Sequence, residues 1–193
     1  LMDGTTCSDA EMESFLAGLE SGTITQFMEQ HEYAARIFPH STNTIRVLTM
    51  WDLEKDEPFI PFAGHRFGRP SSAPVDYCSR GGLAVPVNVE TGELGIGHSG
   101  VYSEELVRHE THPDTGEQIA GVRIPHWDHM ASRLLDICRQ MSYIPYVGWD
   151  VIITPDGFAV IEGNNYPDLG HQVFKPLLSD PRVRAFYERY EAV

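Results

Sequence analysis

At 193 residues, with 41% hydrophobic and 22% charged content, the chain has the composition of a soluble globular protein and is long enough for one sizeable domain or two small lobes. A net charge of −14 argues against a broad nucleic-acid-binding face, and no apolar run reaches the roughly 18 residues of a membrane-crossing helix. Leu1 to Thr6 has no basic segment leading into an apolar core, and Cys7, Cys78 and Cys138 lack Cys-x-x-Cys spacing. A cytoplasmic protein with reduced thiols is therefore expected.

The spacing predicts a first helix over Ser8 to Leu19. Ser8 and Glu11 form a capping box, and Met12, Phe15, Leu16 and Leu19 fall at helical intervals. A short strand, Ile24 to Gln30, follows the Ser21-Gly22 break. Ser41 to Asp52 is a β-branched run read as the second strand, with Arg46 among apolar neighbours. Arg46 is either an edge residue reaching for water or a guanidinium aimed at phosphate, and local sequence does not separate the two. Pro58 to Arg66 is a third strand, antiparallel to the second. A Gly-, Pro- and Ser-rich loop from Gly68 to Gly82 then carries Arg69, Asp76, Arg80 and the Gly81-Gly82 pair. Two adjacent glycines let backbone amides approach an anion, a weak signal by itself. Leu83 to Val89 and Glu93 to Tyr102 read as a hairpin around Thr91-Gly92.

His109, His112, His126 and His129 invite a metal reading, but Pro113, Gly116 and Pro125 break any helix that would gather them. Trp127 to Met141 is the longest helix, with Met130, Leu134, Cys138 and Met141 on one core-facing stripe. Gln172 to Leu178 and Pro181 to Tyr190 close the chain as helical segments. The fold class is α+β, a largely antiparallel sheet with flanking helices. A single domain is expected over 1–193: a helical segment at 1–23, a sheet with the site at 24–170, and C-terminal helices at 171–193.

The most informative stretch is Val147 to Pro167. Val151 to Ile153 and Phe158 to Ile161 flank Pro155-Asp156-Gly157, read as a three-residue hairpin loop with Gly157 left-handed. That register pairs Thr154 with Phe158 and sets Asp150 opposite Glu162, with Asn164 on the same face. Two carboxylates so placed need a cation between them, or one must hold a proton. The oxygen donors of Asp150, Glu162 and Asn164 suit a hard divalent ion such as Mg²⁺ or Mn²⁺.

This pattern, an acidic residue on one strand and Glu-x-Asn on the next, resembles the late hairpin of ATP-grasp domains. The resemblance is closest to the sugar-transfer-associated ATP-grasp group. It runs in order through Ser41-Thr-Asn-Thr-Ile-Arg46-Val, His65-Arg66-Phe-Gly, Pro74-Val-Asp76, Gly81-Gly82, His112-Pro113-Asp114-Thr-Gly, Ile124-Pro125-x-Trp127-Asp128 and Gly148-Trp149-Asp150-Val. Tyr77 departs from the asparagine expected after Val-Asp. The N-terminal lobe of the fold, with its phosphate-binding lysine and Gly-rich flap, is missing from the pattern, and Lys55 and Lys175 are the only lysines.

The resemblance implies residue roles. Met28, Glu29, Gln30 and His31 would form the hinge that holds adenine and ribose. Arg46 would face the phosphates and act with Glu162 in catalysis, over Mg²⁺ held by Asp150, Glu162 and Asn164. Arg66, Asp76, Gly81, Gly82 and Asn165 would shape the acceptor side. The implied activity is ATP-dependent joining of a carboxylate to an amine, thiol or hydroxyl through an acyl phosphate. The acceptor would be a small molecule, including a saccharide or peptide precursor. A phosphotransferase and a non-catalytic nucleotide-binding module are the alternatives.

Overall fold

The computed structural model describes residues 7–18, 20–21, 26–103, 105–165, 167 and 176–190. Its centre is a seven-stranded antiparallel sheet in the order β5-β4-β3-β2-β1-β6-β7. The strands are β1 (Ile45–Asp52), β2 (Glu57–Phe67), β3 (Leu83–Pro86), β4 (Gly97–Ser99), β5 (Val107–His109), β6 (Tyr146–Thr154) and β7 (Gly157–Asn164). The helices are α1 (Asp9–Ala17), α2 (Glu32–Ile37), α3 (Trp127–Gln140) and α4 (Pro181–Arg189).

One sheet face is apolar over most of its extent. Ile45, Val47, Ala63, Phe67, Val85, Val147, Trp149, Val151 and Ile153 pack there against Ile37 of α2 and Met130, Leu134 and Cys138 of α3. The expected α3 stripe is thus buried as far as Cys138, while Met141 lies just past the helix end. Trp127 starts this helix and packs over Gly92, whose φ of 70° and lack of a side chain leave room for the indole. On the opposite face, Leu48, Met50, Phe59 and Phe62 are covered by Leu177 and by Val183 and Phe186 of α4.

Several sequence expectations are corrected. Strand β1 begins at Ile45, because Ser41 and Asn43 spend their polar groups on loop bonds: Ser41 Oγ donates to Asn43 Oδ1, and Asn43 Nδ2 donates to the Phe38 and Ala34 carbonyls. Gln26 to Gln30 is not strand, and residues 24–25 lie outside the described residues. Helix α2 and strand β5 are too short to show a period and were not anticipated. Of the segment 172–178, residues 172–175 lie outside the described residues and Leu177 opens a single 3₁₀ turn. The capping box of α1 forms as expected, but the helix buries none of its residues, and Met12, Phe15 and Leu16 are exposed. None of Cys7, Cys78 and Cys138 is in a disulfide. Among the described residues no helix is long and apolar enough to cross a membrane.

The turn between β6 and β7 also differs. It is a two-residue turn at Pro155-Asp156 that pairs Thr154 with Gly157, and Gly157 is not left-handed. Val151 therefore pairs with Val160, and Ile161 is an extra residue that forms a β-bulge. Beyond it Asp150 pairs with Glu162, and Gly148 with Asn164.

Candidate active site

Directly opposed residues in a sheet share a face. Pro86, Gly64, Arg46, Asp150 and Glu162 therefore form one row across β3, β2, β1, β6 and β7. That row lies on the face whose other end is covered by α4. Arg66 stands two residues beyond Gly64 on β2, and Asn164 two beyond Glu162 on β7, so both join the same face.

Arg46 and Asp150 form a bidentate pair. Arg46 Nε donates to Asp150 Oδ1 at 2.6 Å and Nη2 to Oδ2 at 3.1 Å, and both side chains are buried. Arg66 Nη2 reaches Asp150 Oδ2 at 3.1 Å and its Nε lies 3.5 Å from Asp76 Oδ2. Thr44 ties the group together: its amide and hydroxyl donate to Asp76 Oδ2 at 2.8 and 2.6 Å, and the hydroxyl accepts from Arg66. Burial pushes the Asp150 carboxyl upward, but the Arg46 hydrogen bonds and the Arg66 charge outweigh it and hold the group below the usual carboxylate range. For Asp76 burial wins over Arg66 and Thr44, and its carboxyl lies above that range. Gly148 makes room here, since a Cβ at that position would run into Pro167 and crowd Arg46 Cδ at 3.4 Å.

The cation facing Asp150 is thus a pair of guanidinium groups. Glu162 is exposed, and among the described residues it takes a single hydrogen bond, from Asn164 Nδ2 at 3.1 Å. Among the described residues no group of three or more His, Cys, Asp or Glu side chains is gathered as a metal cage. Mg²⁺ does not need one, because it is commonly held by one or two carboxylates with water and substrate phosphates. The oxygens of Glu162 and Asn164 fit that arrangement, whereas both oxygens of Asp150 are occupied by arginine.

The remaining sequence candidates separate into two groups. Gln30 is pinned by its side chain, which donates to the Ser41 carbonyl at 2.8 Å and accepts from the Asn43 amide and Nδ2. The His31 amide donates to the Ile153 carbonyl at 2.7 Å, three residues along β6 from Asp150 or about 10 Å. Met28 is half-buried and Glu29 exposed, and among the described residues neither uses its backbone in a hydrogen bond. Gly81 and Gly82, in contrast, do not offer their amides to a ligand. They donate to the Cys78 and Tyr77 carbonyls at 3.1 Å and close the loop on itself. Asn165 is exposed just past β7. The loop after β2 is fastened by His112 Nε2 to the Gly68 carbonyl, 2.9 Å, and by an Arg69–Asp114 ion pair, 2.6 Å.

The four histidines do not meet as a metal site. His112 is bonded at both ring nitrogens to backbone, His109 pairs with Ser99, His126 precedes α3 and His129 packs on Phe158. Thr44 is the site residue that sequence reading passed over. Its two-residue spacing from Arg46 was the available signal, because that spacing repeats a strand face.

A family model described as sugar-transfer associated ATP-grasp matches residues 9–181. The chain belongs to that family. No curated protein and no solved structure matches it. The family generally binds ATP and Mg²⁺ and carries ATP-dependent, ligase-like chemistry. The match runs from α1 through every strand of the sheet to the first residue of α4.

Proposed function

We propose that this domain is an ATP- and Mg²⁺-dependent carboxylate–amine ligase acting through an acyl phosphate. The observation that carries the reading is that Arg46 and Arg66, on adjacent strands, share a sheet face with the exposed carboxylate Glu162 and with Asn164. Guanidinium groups match phosphate oxygens in charge and fork geometry. A carboxylate and an amide oxygen beside them offer the donors Mg²⁺ prefers.

Glu162 and Asn164 would hold Mg²⁺, with Asp150 aiming the two arginines. Bound there, the ion would neutralise charge on the ATP phosphates. Arg46 and Arg66 stabilise the negative charge that spreads over the transferring phosphoryl group. A substrate carboxylate attacks the γ-phosphorus, ADP leaves, and an amine then displaces phosphate from the acyl carbon. Positioning and charge suffice for this sequence, so no protein nucleophile is required. Adenine would lie against the open backbone of Met28 and Glu29, within reach of Gln30 and His31, while Asp76 fixes Arg66 on the acceptor side beside Gly81 and Gly82, and Asn165 would stand at the Glu162 end of the row.

Calorimetric titration of the full chain with a non-hydrolysable ATP analogue, with and without Mg²⁺, tests this. Magnesium-dependent binding that disappears in Glu162→Gln supports it, and binding that ignores both magnesium and the substitution overturns it. Incubation with ATP then separates the two chemistries: ADP with phosphate and an amide marks a ligase, ADP with a phosphorylated acceptor a phosphotransferase.

A further inference from the structure

A cleft of about 540 Å³ opens beside the charged row, between β2 and the loop that follows β3. Phe62 and Pro86 form part of its wall, and both point to the face that carries Arg46. Phe62 is two residues from Gly64 on β2, and Pro86 pairs with Gly64, which in turn pairs with Arg46. Two strand spacings, about 10 Å, separate Pro86 from Arg46. The volume is ordinary for a small-molecule site, and Val89 extends the apolar lining.

The cleft also carries charge of one sign. Glu90 and Glu93 line it, and among the described residues neither forms an ion pair. Their loop is rigidly folded: Asn88 Oδ1 accepts from the Glu90 and Thr91 amides, and the Asn88 amide donates to the Glu93 carbonyl at 2.9 Å. Both side chains are exposed at the mouth of the cleft, above its apolar lining. An anionic ligand would be repelled by both and a neutral one would gain nothing from them, whereas an organic ammonium ion would pair with them and lay its body on Pro86 and Val89.

We propose that this cleft is the subsite for the amine co-substrate, an organic primary ammonium ion with an apolar or ring-shaped body. The assignment rests on the ligase reading. It deepens that reading by placing the acceptor on the β3 side of the arginine row, opposite the Glu162 hairpin.

The test is NMR or calorimetric titration of the full chain with benzylammonium, with benzyl alcohol as the neutral control of the same shape. Saturable benzylammonium binding at least fivefold tighter than benzyl alcohol, reduced at least fivefold in Glu90→Gln/Glu93→Gln, supports the cleft. Both positions are exposed, so that variant is expected to keep its fold, which its circular dichroism and unfolding midpoint verify. Equal binding of the two probes, or ammonium binding that survives the double substitution, overturns it. The ATP-analogue titration is run on the same variant. Nucleotide binding by the parent chain without any benzylammonium binding to that same parent chain sinks the cleft and leaves the ligase reading standing. Ammonium binding in the cleft with no nucleotide binding to any form of the chain sinks the ligase reading and with it the acceptor assignment.

Discussion

Asp150 and Glu162 stand opposite each other across β6 and β7, although the turn joining those strands is one residue out of step with that pairing. From Thr154–Gly157 to Val151–Val160 each pair of numbers sums to 311, and an uninterrupted ladder would place Ile161 against Asp150. Glu162 would then oppose Trp149 on the apolar face. The bulge at Ile161 absorbs one residue and returns Glu162 and Asn164 to the face of Arg46. Deleting Ile161, which is half exposed on an edge strand, should leave Glu162 paired with Asp150 and preserve magnesium-dependent nucleotide binding within about threefold. Inserting one glycine after Ile161 should turn Glu162 toward Trp149 and abolish that binding. Parallel calorimetric titrations check both, and loss in the deletion with retention in the insertion would refute the register argument.

The Arg46–Asp150 pair is buried and bidentate, so removing one partner strands a charge. Breaking such a pair typically costs about 3–5 kcal/mol, while replacing both partners with apolar groups costs much less. Arg46→Met should sit near the lower end, because Asp150 keeps Arg66. Arg46→Met/Asp150→Leu should be less destabilised than the sum of its single variants by more than about 1 kcal/mol. Urea unfolding of the four proteins measures the coupling. Arg46→Lys should fold yet bind the ATP analogue at least tenfold more weakly, since a lysine cannot make the forked contact.

Acid should destabilise this fold from well above the carboxylate range. His65 is fully buried, and its two ring nitrogens face the Tyr33 hydroxyl, 2.7 Å, and the Arg66 carbonyl, 3.0 Å. A carbonyl only accepts, so Nδ1 carries the proton and Nε2 accepts from Tyr33, which completes the neutral ring. Burial, aided by the Arg66 charge, pushes its pKa down to about 3 against weaker opposition from backbone hydrogen bonds. The folded protein therefore keeps His65 neutral while the unfolded chain takes up a proton near pH 6.5. Stability falls as pH drops below that value, by about 1.4 kcal/mol per pH unit for this one group, until the folded pKa is reached. Asp150, with its depressed pKa, adds a further loss only below the ordinary carboxylate range, as pH falls through its folded value. His65→Gln should flatten the slope between pH 6.5 and 4.5 by about one proton, read from unfolding midpoints across that range.

What could be read from sequence was local. The α1 capping box, the α3 stripe and the facing of Asp150 and Glu162 follow from spacings within one element or one hairpin. The hairpin reading reached the right facing through the wrong turn, because a three-residue loop and a two-residue turn with a bulge give the same pairing beyond residue 161. The partnership of Arg46 with Asp150 joins residues 104 positions apart, and nothing in either neighbourhood encodes the β1–β6 register. Two carboxylates on a hairpin suggested a metal between them, yet the counter-charge of one arrives from strands outside that hairpin. Gly81-Gly82 suggested open amides because a glycine pair announces close approach but not what approaches. Here it is the loop's own carbonyls.

That last point yields a test. A Cβ on Gly82 would stand 2.9 Å from the carbonyl oxygens of Asp76 and Tyr77 and 3.1 Å from that of Phe67. All three are backbone atoms and cannot rotate away, so Gly82→Ala must displace the 76–77 segment. Asp76 moves with it, away from the Thr44 amide and from Arg66. A loss of about 2 kcal/mol or more is expected, together with faster hydrogen exchange at the Thr44 amide. Gly157→Ala is the control: nothing lies within 4 Å of its added Cβ and its φ is not left-handed. That substitution should stay within about 0.5 kcal/mol of the parent and leave Thr44 exchange unchanged. If both variants behave alike, the glycine at 82 is not what holds Asp76 against Arg66, and the loop's hold on the site must come from Thr44 alone.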